Sequence, residues 1–304
     1  MLEYPGVMTS VSAKAPGKIN PVLRVGPRNE SGYHELFTVF QALELWETVT
    51  VEDADTYSVT LEGDLPLDQV PLDESNIVVK AAVALAAAIG HNGAAAFHIH
   101  KSIPVGGGMG GGSADAAAAL VALNELWGNQ ADTETLHTIA AGLGADVPFA
   151  LHGGSALGRG NGSELEPLSS GEFYWVLLPI DHHLSTPQVY AHFDALTGGD
   201  VEELPKELPP QLVEALATSD AETLAVFLEN DLGPMAADLY PPLISGLMDS
   251  EMGGALRTMV SGSGPTLVAL TRDASHQAQL VQTLHDKGHR PIPTTSTPRG
   301  AHLV

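Results

Sequence analysis

The chain has 304 residues, 44% hydrophobic and 16% charged, with no run of apolar residues long enough to span a bilayer. It can therefore bury a sizeable core, as one large domain or two ordinary ones, and reads as neither disordered nor membrane-bound. Thirteen Lys and Arg against 37 Asp and Glu give a formal net charge of −24, which repels a polyanion and excludes nucleic acid as the main partner.

The chain contains no cysteine, so disulfides and thiolate chemistry are excluded. Residues 1–11 read as a loose leader without the basic and apolar regions of a secretory signal, and the expected compartment is the cytoplasm. From Ser12, "SAKAPGKINPVLRVG" alternates: Ile19, Leu23 and Val25 face one way, Lys18, Asn20 and Arg24 the other. Lys14 and Lys18 are two of only six lysines. "PRNESGY" is a turn, and "HELFTVFQALELWETVTVED" and "TYSVTLEG" are further strands. "ESNIVVKAAVALAAAIGH" predicts a helix capped by Ser75 or Asn76 and ending near Gly90. "AAAFHIHKSIPV" is a strand that runs into a glycine stretch. A helix is expected over Ala114–Trp127, with Leu120, Leu123 and Trp127 on one face. Another spans about Thr133–Ala141 and stops at "GLGADVP". "ALHGGSALGRGNGSELEPL" suits a hinge or a crossing strand. The second half opens with the strand "EFYWVLLPI" and a helix near Pro187–Leu196, followed by an acidic, proline-rich loop over 200–210 and helices to about Met252. The strands "LRTMVSGS" and "PTLVALT", a helix at 274–286 and a last strand close the chain, an order that suggests a small antiparallel sheet backed by helices.

Six glycines fill seven positions from Gly106 to Gly112. Glycine weakens ordinary structure, so this concentration asks for a cause. A linker is excluded by context, since the stretch joins a periodic strand to a strong helix. Gly106, Gly108 and Gly111 satisfy G-x-G-x-x-G, but no strand ending in an acidic residue stands about 20 positions on. No Gly-Lys-Ser/Thr follows either. A phosphate cradle or a purely structural tight turn remains: missing Cβ atoms let N–H groups close on oxygen, and a helix start adds a positive dipole end. Ser113 suits the N-cap, or a phosphate or metal contact. Asp146, followed by Val-Pro, has the pattern of an N-cap with proline in the first turn. "HIH" at 98–100 puts two histidines on one strand face with no carboxylate partner evident, and no structural zinc is expected.

"PVGGGMGGGSADAA" resembles the phosphate loop of the GHMP kinases, and "APGKIN" (15–20) and "SGSGPTLVAL" (261–270) resemble their other motifs. "GKIN", "GYHEL…FQ" and "GADVPF" resemble the signature of one branch of that family, and this resemblance implies phosphorylation of a cytidylated methylerythritol. Pro21 and Met109 depart from its usual pattern without removing a functional group. The resemblance implies an α+β, two-lobed fold: an ATP-binding N-terminal lobe of mixed sheet and helix over 1–165 and a ferredoxin-like C-terminal lobe over 166–304. It implies ATP as co-substrate, Mg²⁺, a small cytidylated acceptor, no nucleic-acid or membrane partner, and a monomer or homodimer.

The same resemblance assigns residues. Lys18 and Asp146 are the catalytic pair, with Lys18 keeping Asp146 ionised and orienting the acceptor hydroxyl. ATP falls to Pro104, Val105, Gly106, Gly107, Gly108, Met109, Gly110, Gly111, Gly112, Ser113 and Ala114, with Ser113 a candidate Mg²⁺ contact. Tyr33, His34, Phe40 and Tyr190 are expected at the cytidine of the acceptor, where aromatic faces stack on the base; Asn20 and Thr186 are further polar candidates for the substrate. Tyr190 stands where the family often carries Phe. The rival readings are a GHMP kinase for a mevalonate- or homoserine-type acceptor, and a catalytically silent nucleotide-binding protein of the same fold.

Overall fold

The computed structural model describes residues 10–29, 32–198 and 201–304. Most of the expected leader, two residues of the "PRNESGY" turn and the first residue of the acidic loop lie outside them. Two long strands, β1 (Val11–Arg28) and β2 (His34–Ala54), pair antiparallel and form the backbone of the first sheet. β3 (Ser58–Glu62), α1 (Ile77–Ile89) and β4 (Ala94–His100) follow. Asn76 caps α1 by accepting from Val78 N at 3.0 Å, and Gly90 closes it in a left-handed conformation, as its sequence pattern predicts. Next come α2 (Gly111–Leu126), α3 (Thr133–Leu143), α4 (Val147–His152), β5 (Ser155–Arg159) and β6 (Glu164–Leu168). The alanines of α2 are fully buried, and this helix packs on β1, β2 and α1. Short side chains allow that close approach over the sheet.

The second part holds β7 (Tyr174–Leu178), α5 (Thr186–Thr197), α6 (Pro210–Thr218), α7 (Ala221–Phe227) and β8 (Glu229–Asn230). It continues through α8 (Gly233–Leu239), α9 (Pro242–Met252), β9 (Arg257–Val260), β10 (Leu267–Thr271), α10 (Ala274–Asp286), β11 (Ile292–Thr295) and β12 (His302–Leu303). Its sheet is antiparallel in the order β11-β7-β10-β9. Counted within this unit the order is 4-1-3-2, with helices joining first to second and third to fourth strands, the ferredoxin-like arrangement. Trp175 and Leu177 face one core and Val176 and Leu178 the other. Burial on both faces explains why this strand reads as an unbroken apolar run.

The first sheet runs β12-β1-β2-β4-β3, with β5 on β2, β6 on β5 and β8 on β1. A division at 165/166 falls inside β6, and β8 and β12 return from the second half to pair with β1. The "ALHGGSALGRGNGSELEPL" stretch is the end of α4 and the β5–β6 hairpin, not a hinge. Pro21 sits where the β1–β2 register slips between Ile19 and Val22. The bulge removes the ladder bond that proline cannot donate, so Pro21 is compatible with an internal position on β1.

Candidate active site

Helix α2 starts earlier than its alanine run suggests. Gly110 is its N-cap, left-handed at φ 73°, and Gly111, Gly112 and Ser113 form the first turn. Ser113 is therefore inside the helix and does not cap it. Ala114 N bonds to Gly110 O at 2.8 Å, whereas the amides of Gly111, Gly112 and Ser113 find no acceptor among the described residues. Three unspent N–H groups at the positive end of a helix make an anion site. They open onto a cavity of about 460 Å³ lined by Pro104–Ser113, Lys101 and Asp115, and by Val70, Pro71 and Ile77. Ala114 is fully buried beneath the loop and does not line this cavity.

The loop is held from two sides. Lys18 N donates to Met109 O at 3.0 Å, tying β1 to it. On the other side Ser261 Oγ donates to Gly108 O at 3.2 Å. Gly108, at φ 76°, leaves no room for a side chain: a Cβ would lie 2.2 Å from Ser261 O. The "SGSGP" turn thus packs against the phosphate loop, and Asn230 Nδ2 holds that turn by donating to Val260 O and Gly262 O, both at 2.7 Å.

A second cleft, about 310 Å³, adjoins the first and shares Gly108, Gly110 and Ser113 with it. Lys18, Asn20, Phe40, Asp146, Thr186 and Tyr190 line it. Lys18 Nζ lies 3.4 Å from Asp146 Oδ2 and donates to Asn20 Oδ1 at 2.8 Å. Asn20 Nδ2 in turn donates to Thr38 Oγ1 at 2.9 Å, and Thr38 donates to Val22 O at 2.7 Å. This chain fixes a lysine only 7% exposed. Asp146 occupies the N-cap position of α4 with helical dihedrals, and its side chain makes no cap bond. The carboxylate is thereby left for the cleft. Phe40 stacks on Phe149 at 4.9 Å. Burial pushes the Tyr190 hydroxyl up to about 12, with the charge of Asp146 adding to the rise, so it stays protonated as a donor. Thr186 Oγ1 and Ser263 Oγ are 2.8 Å apart across the cleft wall.

Two of the acceptor residues expected from sequence are not cleft-lining. Tyr33 is 70% exposed, and His34 lies behind the wall, stacked on Tyr190 at 5.5 Å with Nδ1 at 2.7 Å from Gly26 O and Nε2 at 3.0 Å from Asp194 Oδ1. Lys14 rests over the Trp46 ring, at 4.6 Å. The histidine pair of β4 does have a carboxylate: Glu62 of the neighbouring strand reaches His98 at 3.3 Å and His100 at 2.8 Å.

Sequence reading missed a buried charged cluster. Lys101 Nζ lies 2.7 Å from both Glu47 Oε1 and Asp115 Oδ2. Burial pushes Asp115 up to about 7, the nearby Glu47 adding to the rise and Lys101 opposing it. Burial raises Glu47 as well, against the pull of Lys101. The rarity of lysine in this acidic chain was the one available signal.

Residues 76–154 match the GHMP kinases N terminal domain, and the fold is of the GHMP kinase class. The chain is 42% identical to a 4-diphosphocytidyl-2-C-methyl-D-erythritol kinase of Leifsonia xyli subsp. xyli, over 98% of this chain and 99% of that one. It is 46% identical to the protein of that name from Nocardioides sp., over 96% and 99%. A crystal structure of 4-(cytidine 5'-diphospho)-2C-methyl-D-erythritol kinase superposes with a TM-score of 0.75 at 31% identity, covering 94% of this chain and 98% of that one. The chain belongs to the 4-diphosphocytidyl-2-C-methyl-D-erythritol kinase family.

Proposed function

We propose that the protein transfers the γ-phosphoryl group of ATP to the 2-hydroxyl of 4-diphosphocytidyl-2-C-methyl-D-erythritol. It is a phosphotransferase with an alcohol acceptor, acting in the non-mevalonate synthesis of isoprenoid precursors. The observation that carries the reading is the junction of the two cavities at Gly108, Gly110 and Ser113, with Lys18 and Asp146 on the acceptor side.

Phosphoryl transfer depends on positioning and charge neutralisation more than on covalent chemistry. The free amides of Gly111, Gly112 and Ser113 hold the ATP phosphates, and the α2 dipole adds to their pull. Asp146 takes the proton of the attacking hydroxyl. Lys18, fixed by Asn20, donates to the hydroxyl oxygen and sets its charge beside the carboxylate of Asp146. Phe40 and Tyr190 offer aromatic faces for the cytosine, His34 fixes Tyr190, and Thr186 supplies a hydroxyl.

No cluster of three His, Asp or Glu suited to a metal exists among the described residues, while Ser113 lines both cavities. That donor set suits Mg²⁺, which keeps several waters and binds largely through substrate phosphates. Ser113 would hold it; when bound it neutralises charge on the transferring group.

The reading is tested with purified protein, Mg-ATP and three acceptors: the cytidylated methylerythritol, mevalonate and homoserine. ADP should form with the first alone. ADP with mevalonate or homoserine instead would assign a different acceptor, and nucleotide binding without turnover would make the protein a silent relative.

A further inference from the structure

Three charged side chains meet in the interior between the first sheet and the phosphate loop, and the transfer step uses none of them. Glu47 on β2 is fully buried, and Lys101 and Asp115 are each 3% exposed. Removing three charges from water is costly, and pairing alone does not offset it. Two carboxylates against one ammonium also leave the cluster unbalanced. One oxygen, Asp115 Oδ1, is buried without a partner among the described residues.

Position supplies the reason for this cost. β4 ends at His100, so the amides of Ser102 and Ile103, where the chain turns into the phosphate loop, have no ladder acceptor. Glu47 takes that place: Ser102 N donates to Oε2 at 2.9 Å and Ile103 N to Oε1 at 3.3 Å. A buried amide left unpaired would be costly. The same Oε1 lies 3.2 Å from where a Cβ on Gly111 would stand, so the carboxylate also abuts the start of α2. β2 is internal to its sheet, flanked by β1 and β4, and is a rigid anchor. Glu47 itself does not line the nucleotide cavity.

We infer that Glu47 is a positioning residue for the nucleotide: it fixes both ends of the phosphate loop to β2, and Lys101 carries the tie across to Asp115 of α2. The kinetic part of this inference rests on the phosphoryl-transfer reading; the structural part does not.

Glu47→Gln keeps the side-chain volume and removes one of the two charges that hold Lys101. Its KM for ATP should rise about five-fold or more while its KM for the acceptor stays within about two-fold, because Gly111, which Glu47 abuts, lines the nucleotide cavity and not the acceptor cleft. Glu47→Asp keeps the charge but cannot span both amides, and should shift KM for ATP in the same direction. In the unsubstituted protein the Ser102 and Ile103 amides should exchange with solvent as slowly as those of β4. The exchange measurement decides the matter if neither variant folds. A folded Glu47→Gln with unchanged KM for ATP, both KM values rising together, or open-loop exchange at Ser102 and Ile103 would overturn the inference. An unsubstituted protein that turns over no ATP would overturn the kinase reading instead, leaving the exchange result to judge the tie.

Discussion

Asp146→Asn should lower turnover by about 10²–10⁴-fold, the usual worth of a positioned general base, with KM for ATP and thermal stability little changed. Asp146 makes no cap bond to α4, and its side chain is 31% exposed. A partly solvated ion pair is worth only about 0–1 kcal/mol, so the fold loses little when the carboxylate goes. Asp146 also stands outside the nucleotide cavity, which isolates the effect in the chemical step. Lys18→Met differs in kind. Lys18 packs its stem against Gly110 and bonds Asn20 as well as Asp146, so this change should damage both turnover and stability. Steady-state kinetics and thermal melts on the two variants separate base from scaffold. If Asp146→Asn kept near-normal turnover with unchanged melting, the base assignment would be wrong.

Gly108→Ala should abolish detectable ATP binding and lower the melting temperature, whereas Gly112→Ala should lose ATP binding and keep its stability. The two glycines are required for different reasons. At Gly108 a Cβ would collide with Ser261 O, and the backbone is left-handed, so alanine there breaks the contact between the phosphate loop and the "SGSGP" turn. At Gly112 a Cβ would meet nothing within 4 Å. Neither protein packing nor backbone conformation requires glycine there, and alanine is the better helix former by about 1 kcal/mol. What remains to exclude a methyl group is a ligand lying on the amides. Calorimetric titration with Mg-ATP beside a melting curve reads both. Normal ATP affinity in Gly112→Ala would place the phosphates elsewhere.

Local signals in the sequence carried much of this architecture. Asn76 and Gly90 bound α1 because capping is decided within a few residues, and the closing strands and helix were legible as elements from their own periodicity. The glycine stretch between strand and helix was legible as a phosphate cradle or tight turn. Lys18 and Asp146 lie 128 positions apart, and only family resemblance joined them before the fold did. The start of α2 was misplaced because glycine has low helix propensity; the turn is imposed by the loop's contacts with β1 and with Ser261. Glu47, Lys101 and Asp115 belong to three elements, and no local period announces their meeting. The Glu62 bridge to His98 and His100 depends on β3 pairing with β4, which strand alternation alone does not specify. Tyr33 and His34 are adjacent in sequence, and the fold turns one outward and buries the other behind Tyr190.

The most direct test follows the phosphoryl group itself. Protein, Mg-ATP and one equivalent of 4-diphosphocytidyl-2-C-methyl-D-erythritol are mixed, and the products are assigned by phosphorus and proton NMR. The two cavities meeting at Gly108, Gly110 and Ser113, with Lys18 and Asp146 on the acceptor side, predict one ADP for each new phosphate monoester, formed at the 2-hydroxyl. ADP released with free phosphate, or a monoester at any other hydroxyl, would contradict it.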